Sequence, residues 1–209
     1  MYLSKVLVPW SAVKNPYQLH KELWKLFPGR PDDERNFMFR VETIQKGHSA
    51  TVLMQSAWQP EDTNITRLVA SKQVQLNVSE GMWLRFRLRA NPIKTIKDER
   101  QRTDSKGNIK RSRVPLIHEE EQIAWIQRKL ADAVEFDSIQ VTKEAPIFFR
   151  KQRDKANRQL DHSGKIQTVC FEGIFKVKDS EALQNSILAG VGPAKSFGCG
   201  MLSIAPVAV

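Results

Sequence analysis

Four histidines occur among the 209 residues, and the spacing around one of them points to chemistry. Leu19, Leu23 and Leu26 recur at i, i+4 and i+7 with Phe27 beside them, which predicts a helix with one apolar stripe. His20 sits on the flank of that stripe. Tyr17, three residues earlier, and Trp24, four later, project from the same side, so an imidazole, a phenol and an indole share one rim. An imidazole titrates near neutral pH and can take a proton from a ribose hydroxyl or give one to a leaving oxygen. RNA carries that hydroxyl and DNA does not. The same pattern also fits a partly buried packing histidine with a satisfied ring nitrogen. His48, His118 and His162 fall at a turn, before a helix and in a polar loop, where they read as solvated surface residues.

A second constellation lies near the C-terminus, in Gly190-Val-Gly-Pro-Ala-Lys-Ser-Phe-Gly-Cys-Gly200. Gly190, Gly192, Gly198 and Gly200 let a backbone come close to a ligand, while Lys195 and Ser196 offer a charge and a hydroxyl suited to phosphate. Ala194 stands where a nucleotide-binding loop needs glycine before Lys-Ser, and Lys195 stands where the dinucleotide pattern needs glycine, so neither motif applies. A helix C-cap followed by a tight turn is the competing reading.

The third feature is charge. Between Arg85 and Arg113 eleven Lys or Arg face three acids, a net +8 within a chain whose total is +10. The run is not simple sequence: RFRLR alternates as a strand does, ANPIK interrupts it, and DSKGNIKRSR reads as a polar hairpin tip around Gly107-Asn108. A shaped basic element predicts a polyanionic partner, with Lys94, Arg102, Lys106, Lys110, Arg111 and Arg113 meeting phosphates. A merely solvated charged face is the alternative.

Other chemistries find less support. Glu119, Glu120 and Glu121 crowd the start of a helix, where carboxylates favourably face its positive end. Asp32, Asp33 and Glu34 lie in a loop between arginines, and neither cluster has the spacing of a two-metal nuclease. Cys170 and Cys199 make no CxxC or Cys/His pattern, so no metal site, cofactor or disulfide framework is expected, and a reducing cytoplasm fits. The segment MYLSKVLVPW is too short and interrupted for a signal peptide. No apolar run of about 18 residues is present to span a bilayer, and the basic run lacks the apolar face of an interfacial helix.

The elements that must position these groups follow from local signals. Leu3–Val8 reads as a strand, and Asn15-Pro16 opens the His20 helix, which Pro28-Gly29 closes. Phe37–Glu42 and Thr51–Ala57 read as strands joined by a turn at Gln45–His48, followed by a helix-like piece near Ile65–Ala70 and a strand over Gln73–Val78. That β-α-β-β-α-β order is ferredoxin-like. It recurs as a strand over Trp83–Arg89, a helix over Glu119–Leu130, strands over Ile139–Phe149 and Lys165–Val177, a helix over Asp179–Ala189 and a last strand over Met201–Ile204; Arg150–Gly164 reads as a charged loop. The expectation is an α+β chain of two tandem ferredoxin-like domains of the RRM-like kind, with helices on one face of antiparallel sheets, residues 1–79 carrying the His20 helix and 80–209 the basic hairpin and glycine loop. No sequence repeat accompanies this recurrence of element order.

The segments YLSKV, YQLHKELWKLFPGRPD, LRFRLRANPIKT, DSKGNIKRSRVPLI, EQIAWIQRKL, SGKIQTVCFEG and GVGPAKSFGCGML, in that order, resemble the CasE family of CRISPR-repeat endoribonucleases. The resemblance spans nearly the whole chain. It implies two ferredoxin-like domains, metal-independent cleavage of precursor CRISPR RNA within each repeat, and retention on the 3′ hairpin of the product as a subunit of the Cascade complex. It maps the family's catalytic histidine onto His20, its tyrosine one turn earlier onto Tyr17, and, less firmly matched, a helping lysine onto Lys25. It also implies that the segment 94–113 inserts into RNA, and that a 2′-OH attacks the adjacent phosphate to leave a 2′,3′-cyclic phosphate and a 5′-OH. A non-catalytic RNA-hairpin scaffold and a duplex-DNA binder remain the alternatives from the residues alone.

Overall fold

The computed structural model describes residues 1–30, 34, 36–97, 101–103, 106–109, 111–151 and 162–207. Strand β1 (Tyr2–Pro9) runs into a single helical turn, α1 (Trp10–Val13), and then into α2 (Pro16–Trp24). The start of α2 follows from two residues. Asn15 is extended, its side-chain oxygen accepts from the Tyr17 N–H at 3.0 Å, and Pro16 occupies a first-turn position that needs no donor. Strands β2 (Phe37–Gln45), β3 (Ser49–Ser56) and β4 (Arg67–Gln73) complete an antiparallel sheet in the order β2-β3-β1-β4. Leu19, Leu23 and Leu26 are buried against Val6, Val8, Phe37, Phe39 and Val52 of that sheet. Each such leucine contributes about 1.5–3 kcal/mol by burial, which fixes the face α2 turns inward and leaves Tyr17 and His20 half-buried on its flank.

The rest of the chain forms a second sheet. Strand β5 (Trp83–Ala90) leads into the hairpin β6 (Ile93–Lys97) and β7 (Arg111–Pro115), then helix α3 (Glu119–Lys129) and strand β8 (Val134–Lys143). A second hairpin, β9 (Ile147–Lys151) and β10 (His162–Ile166), precedes β11 (Val169–Val177), helix α4 (Ser180–Ala189), a 3-10 turn at Lys195–Phe197 and β12 (Leu202–Pro206). Its order is β12-β5-β11-β8. In both sheets the last strand lies beside the first and the third lies beside the second, the ferredoxin-like order. Trp125 and Ile126 of α3 and Leu183 and Ile187 of α4 close a core over Phe86, Phe171 and Phe175.

Several elements depart from the expected boundaries. The piece near Ile65–Ala70 is not helical: Arg67–Gln73 is the edge strand β4, because pairing with β1 satisfies a ladder that a local helix would leave open. The chain expected as a strand over Gln73–Val78 leaves the sheet instead, and Leu76 and Val78 pack on the second core. The long strand expected over Ile139–Phe149 breaks at Glu144-Ala145-Pro146, where proline cannot donate to a ladder, and the one over Lys165–Val177 breaks at Gln167-Thr168. The ends of the expected Arg150–Gly164 loop pair as strands, with residues 152–161 outside the described set. Polar groups tie the halves together. Gln55 Nε2 donates to the Ile187 carbonyl at 2.9 Å, and buried Arg40 bonds Glu42 at 2.8 Å and the Ser203 hydroxyl at 3.0 Å.

Candidate functional site

The His20 helix and the glycine loop meet. Tyr17 presents its ring edge-on to Phe197 of the 3-10 turn, centroids 5.6 Å apart, and lies 6.0 Å from Phe149 of β9. Phe149 and Phe197 stand 4.9 Å apart, so three rings from three separate segments lock the start of α2 against the C-terminal half. Asn15 adds a side-chain hydrogen bond to the Arg150 carbonyl at 3.3 Å. His20 stacks on buried Phe37 at 5.5 Å and 24° and lies 6.4 Å from Trp24; its Nε2 is shielded from solvent. The Tyr17, His20 and Trp24 rim expected from spacing is thus divided between two environments. Tyr17 faces the other half of the chain, whereas His20 rests on its own sheet.

The glycine loop has structural duties that account for most of its glycines. Gly198 has φ +82°, and a Cβ there would approach the Phe39 ring at 3.2 Å; one on Gly192 would meet the Trp125 indole at 2.7 Å. Gly190, at φ +75°, ends α4 against the Met38 side chain. Lys195 Nζ donates to the Ala189 carbonyl at 2.6 Å, capping the negative end of α4. Ser196 lies in the 3-10 turn between Lys195 and Phe197.

Lys195 nevertheless lines two openings. A cleft of about 670 Å³ is bounded by Arg113 of β7, by Trp125, Arg128 and Lys129 at the end of α3, and by Gly192 and Lys195. A smaller one of about 220 Å³ joins Lys195 to Asn36 and Phe37, the residue on which His20 stacks. The basic hairpin and the glycine loop therefore share one positively charged cleft, and Ala189 and Lys195 border both it and the smaller opening at Phe37. Arg128 and Lys129 were not singled out in the sequence; in the structure they are the basic residues of the last turn of α3. Only the fold puts them opposite Arg113.

The hairpin divides its cations between two faces. Thr95 pairs with Arg113 and Lys97 with Arg111, so Lys97, Arg111 and Arg113 share one face, and Lys94 lies on the other. Lys94 Nζ bonds Glu121 at 2.7 Å, which holds the Glu121 carboxyl below its ordinary range and fastens the hairpin to the start of α3. Arg102 and Lys106 sit near the tip, closed by a bridge between Thr103 and Ile109, and Gly107 there has φ +79°. Lys110, and the acids Asp32 and Asp33, lie outside the described residues. Lys25 Nζ pairs with Glu22 at 2.7 Å. Among the described residues no cluster of three His, Cys, Asp or Glu is placed to hold a metal, and no helix is long and apolar enough to cross a membrane.

A family model described as CRISPR associated protein matches residues 1–206. The CRISPR system Cascade subunit CasE of Escherichia coli K12 is 49% identical over 207 residues, covering 99% of this chain and all of that protein. The chain belongs to the CasE family. The crystal structure of the CRISPR-associated protein Cas6e from E. coli K-12 superposes with a TM-score of 0.84 at 48% identity, over 99% of this chain and 100% of the other. A CRISPR endoribonuclease Cse3 bound to a 19-nucleotide RNA matches with a TM-score of 0.74 at 28% identity, over 99% of this chain and 100% of that one. This chain thus has two ferredoxin-like sheets, with the His20 helix of the first pressed on the glycine loop of the second.

Proposed function

We propose that this chain is a metal-independent endoribonuclease that cuts precursor CRISPR RNA within its repeats and stays on the 3′ hairpin of the product as a Cascade subunit, in the cytoplasm. Residues 1–79 form the domain that carries the catalytic helix, and residues 80–209 the domain that grips the hairpin. The ribose 2′-oxygen next to the scissile phosphate loses its proton and attacks phosphorus in line. The bond to the 5′-oxygen breaks, leaving a 2′,3′-cyclic phosphate and a 5′-OH. One proton leaves and one is returned, so the step needs no outside reagent. His20 performs one of those transfers, and Tyr17 orients the ribose or donates to a phosphate oxygen. A positioned histidine supplies about 10²–10⁴-fold, so the rest must come from holding the RNA in line.

The observation that supports this reading best is the Tyr17–Phe197 contact, which puts the histidine helix at the end of a loop that also lines the basic cleft. Hairpin phosphates along Arg113, Arg128, Lys129 and Lys195, with Arg102, Lys106 and Arg111 further along the hairpin, would carry the chain of the RNA toward His20. The backbone at Gly192 borders the same cleft. The test is His20→Ala on a labelled repeat hairpin in EDTA. The variant is expected to bind RNA as wild type does and to lose single-turnover cleavage, as is wild type on RNA with a 2′-deoxy residue at the cut. Near-normal cleavage by the variant would remove His20 from the mechanism; no cleavage of repeat RNA by wild type would leave a hairpin-binding scaffold.

A further inference from the structure

Phe148 is 67% exposed, the most exposed of the large apolar side chains among the described residues. On β9 it alternates with Ile147 and Phe149, which turn inward, and Phe149 is the ring that meets Tyr17. An outward strand position does not require an aromatic ring, because a polar residue can occupy it as well. Its surroundings are cationic. Lys165 lies directly across the hairpin in register, with Nζ 6.0 Å from the ring centroid. A cleft of about 670 Å³ runs between this hairpin and the start of α2, lined by Lys14, Asn15, Phe148, Phe149, Arg150, Ser163, Gly164 and Lys165. Three of those side chains are cationic and none is acidic. Gly164 lets the Phe149 ring lie across the strand, so the wall of the cleft beside Tyr17 is the ring itself.

A single exposed ring amid cations suits a partner that brings a flat apolar face and a negative charge together. A docked protein would need a contiguous apolar patch instead. An unpaired nucleotide has both features: every base offers a π-face for stacking and carries its phosphate alongside. Resting on the RNA reading above, we propose that Phe148 is a stacking platform for an unpaired nucleotide flanking the hairpin next to the scissile bond, with Lys14 and Lys165 on its phosphate. The cleft borders the start of the His20 helix through Lys14 and Asn15, and its wall is the Phe149 ring that meets Tyr17.

The experiment compares two RNAs, the repeat hairpin with its single-stranded flanks and the same stem trimmed flush, on wild type, Phe148→Ala and Phe148→Trp. Phe148→Ala is expected to weaken binding of the flanked RNA about 5- to 150-fold, the range for loss of one base–aromatic stack. The loss should be absent on the trimmed stem, and Phe148→Trp should restore affinity for the flanked RNA. A 2-aminopurine placed in the flank should lose fluorescence on wild type and Phe148→Trp but not on Phe148→Ala. Equal affinities of wild type and Phe148→Ala for the flanked RNA overturn the proposal, as does an equal loss on both RNAs. If wild type binds neither RNA, the RNA reading itself has failed, an outcome the trimmed stem separates from failure of the platform alone.

Discussion

Arg113→Ala combined with Arg128→Ala removes one cation from each wall of the cleft that the hairpin and α3 make together. Both side chains are exposed, so the pair is expected to fold normally. Lys195, the fourth cation there, already gives its ammonium to the Ala189 carbonyl, so the phosphate contacts proposed for that cleft fall mainly to Arg113, Arg128 and Lys129. If the two arginines each meet a phosphate, the slope of log K against log salt should fall by about 0.7–0.9 per contact, or about 1.4–1.8 together. Between 50 and 200 mM salt, wild type should therefore lose about 7- to 12-fold more affinity than the double variant. Fluorescence anisotropy with the trimmed repeat hairpin across that range measures it. Lys94→Ala is the internal comparison: Lys94 is on the opposite hairpin face and is engaged by Glu121, so its slope should change least. A double variant with the wild-type slope, or a Lys94→Ala slope that falls as far, would refute the placement of the stem in this cleft.

Other outcomes follow from the same geometry. Gly198→Val adds a Cβ against Phe39 and a β-branched residue at φ +82°, and is expected to cost about 1–3 kcal/mol, read as a lower urea midpoint before any RNA is added. Cys199 is buried and its thiol is pushed up to about 12 by desolvation, so native protein at pH 8 should alkylate there only after unfolding; mass spectrometry of labelled peptides decides it. The Glu121 carboxyl is depressed by Lys94, so the tether it makes is present at neutral pH and lost as pH falls through the folded-state value. Lys94→Met should move the Glu121 midpoint upward in an NMR titration, and an unmoved midpoint would mean that the ion pair is not formed in solution.

Local chemistry written into the chain determined much of this molecule. Asn15-Pro16 and Asp179 start their helices because a capping oxygen is supplied where the first turn needs one, and Gly190 ends α4 because it accepts a positive φ. The leucine period of α2 placed His20 on a flank, alternation marked β5, and the turn residues Gly107-Asn108 marked the tip of the basic hairpin. These signals act within a few residues, so composition and spacing suffice to read them. What local signals left open was decided by partners far along the chain. Arg67–Gln73 became a strand because β1 offered a free edge, although its own sequence did not call for one. Gly198 reads as room for a ligand until Phe39, 159 positions earlier, is found against it. Arg128 and Lys129 look like an ordinary helix end until Arg113 and Lys195 face them, and Phe149 acquires its meaning only from Tyr17. Side chains brought together by packing two sheets share no sequence period, because their separation is set by the cores that bury Phe37 and Phe39 on one side and Trp125 and Phe171 on the other.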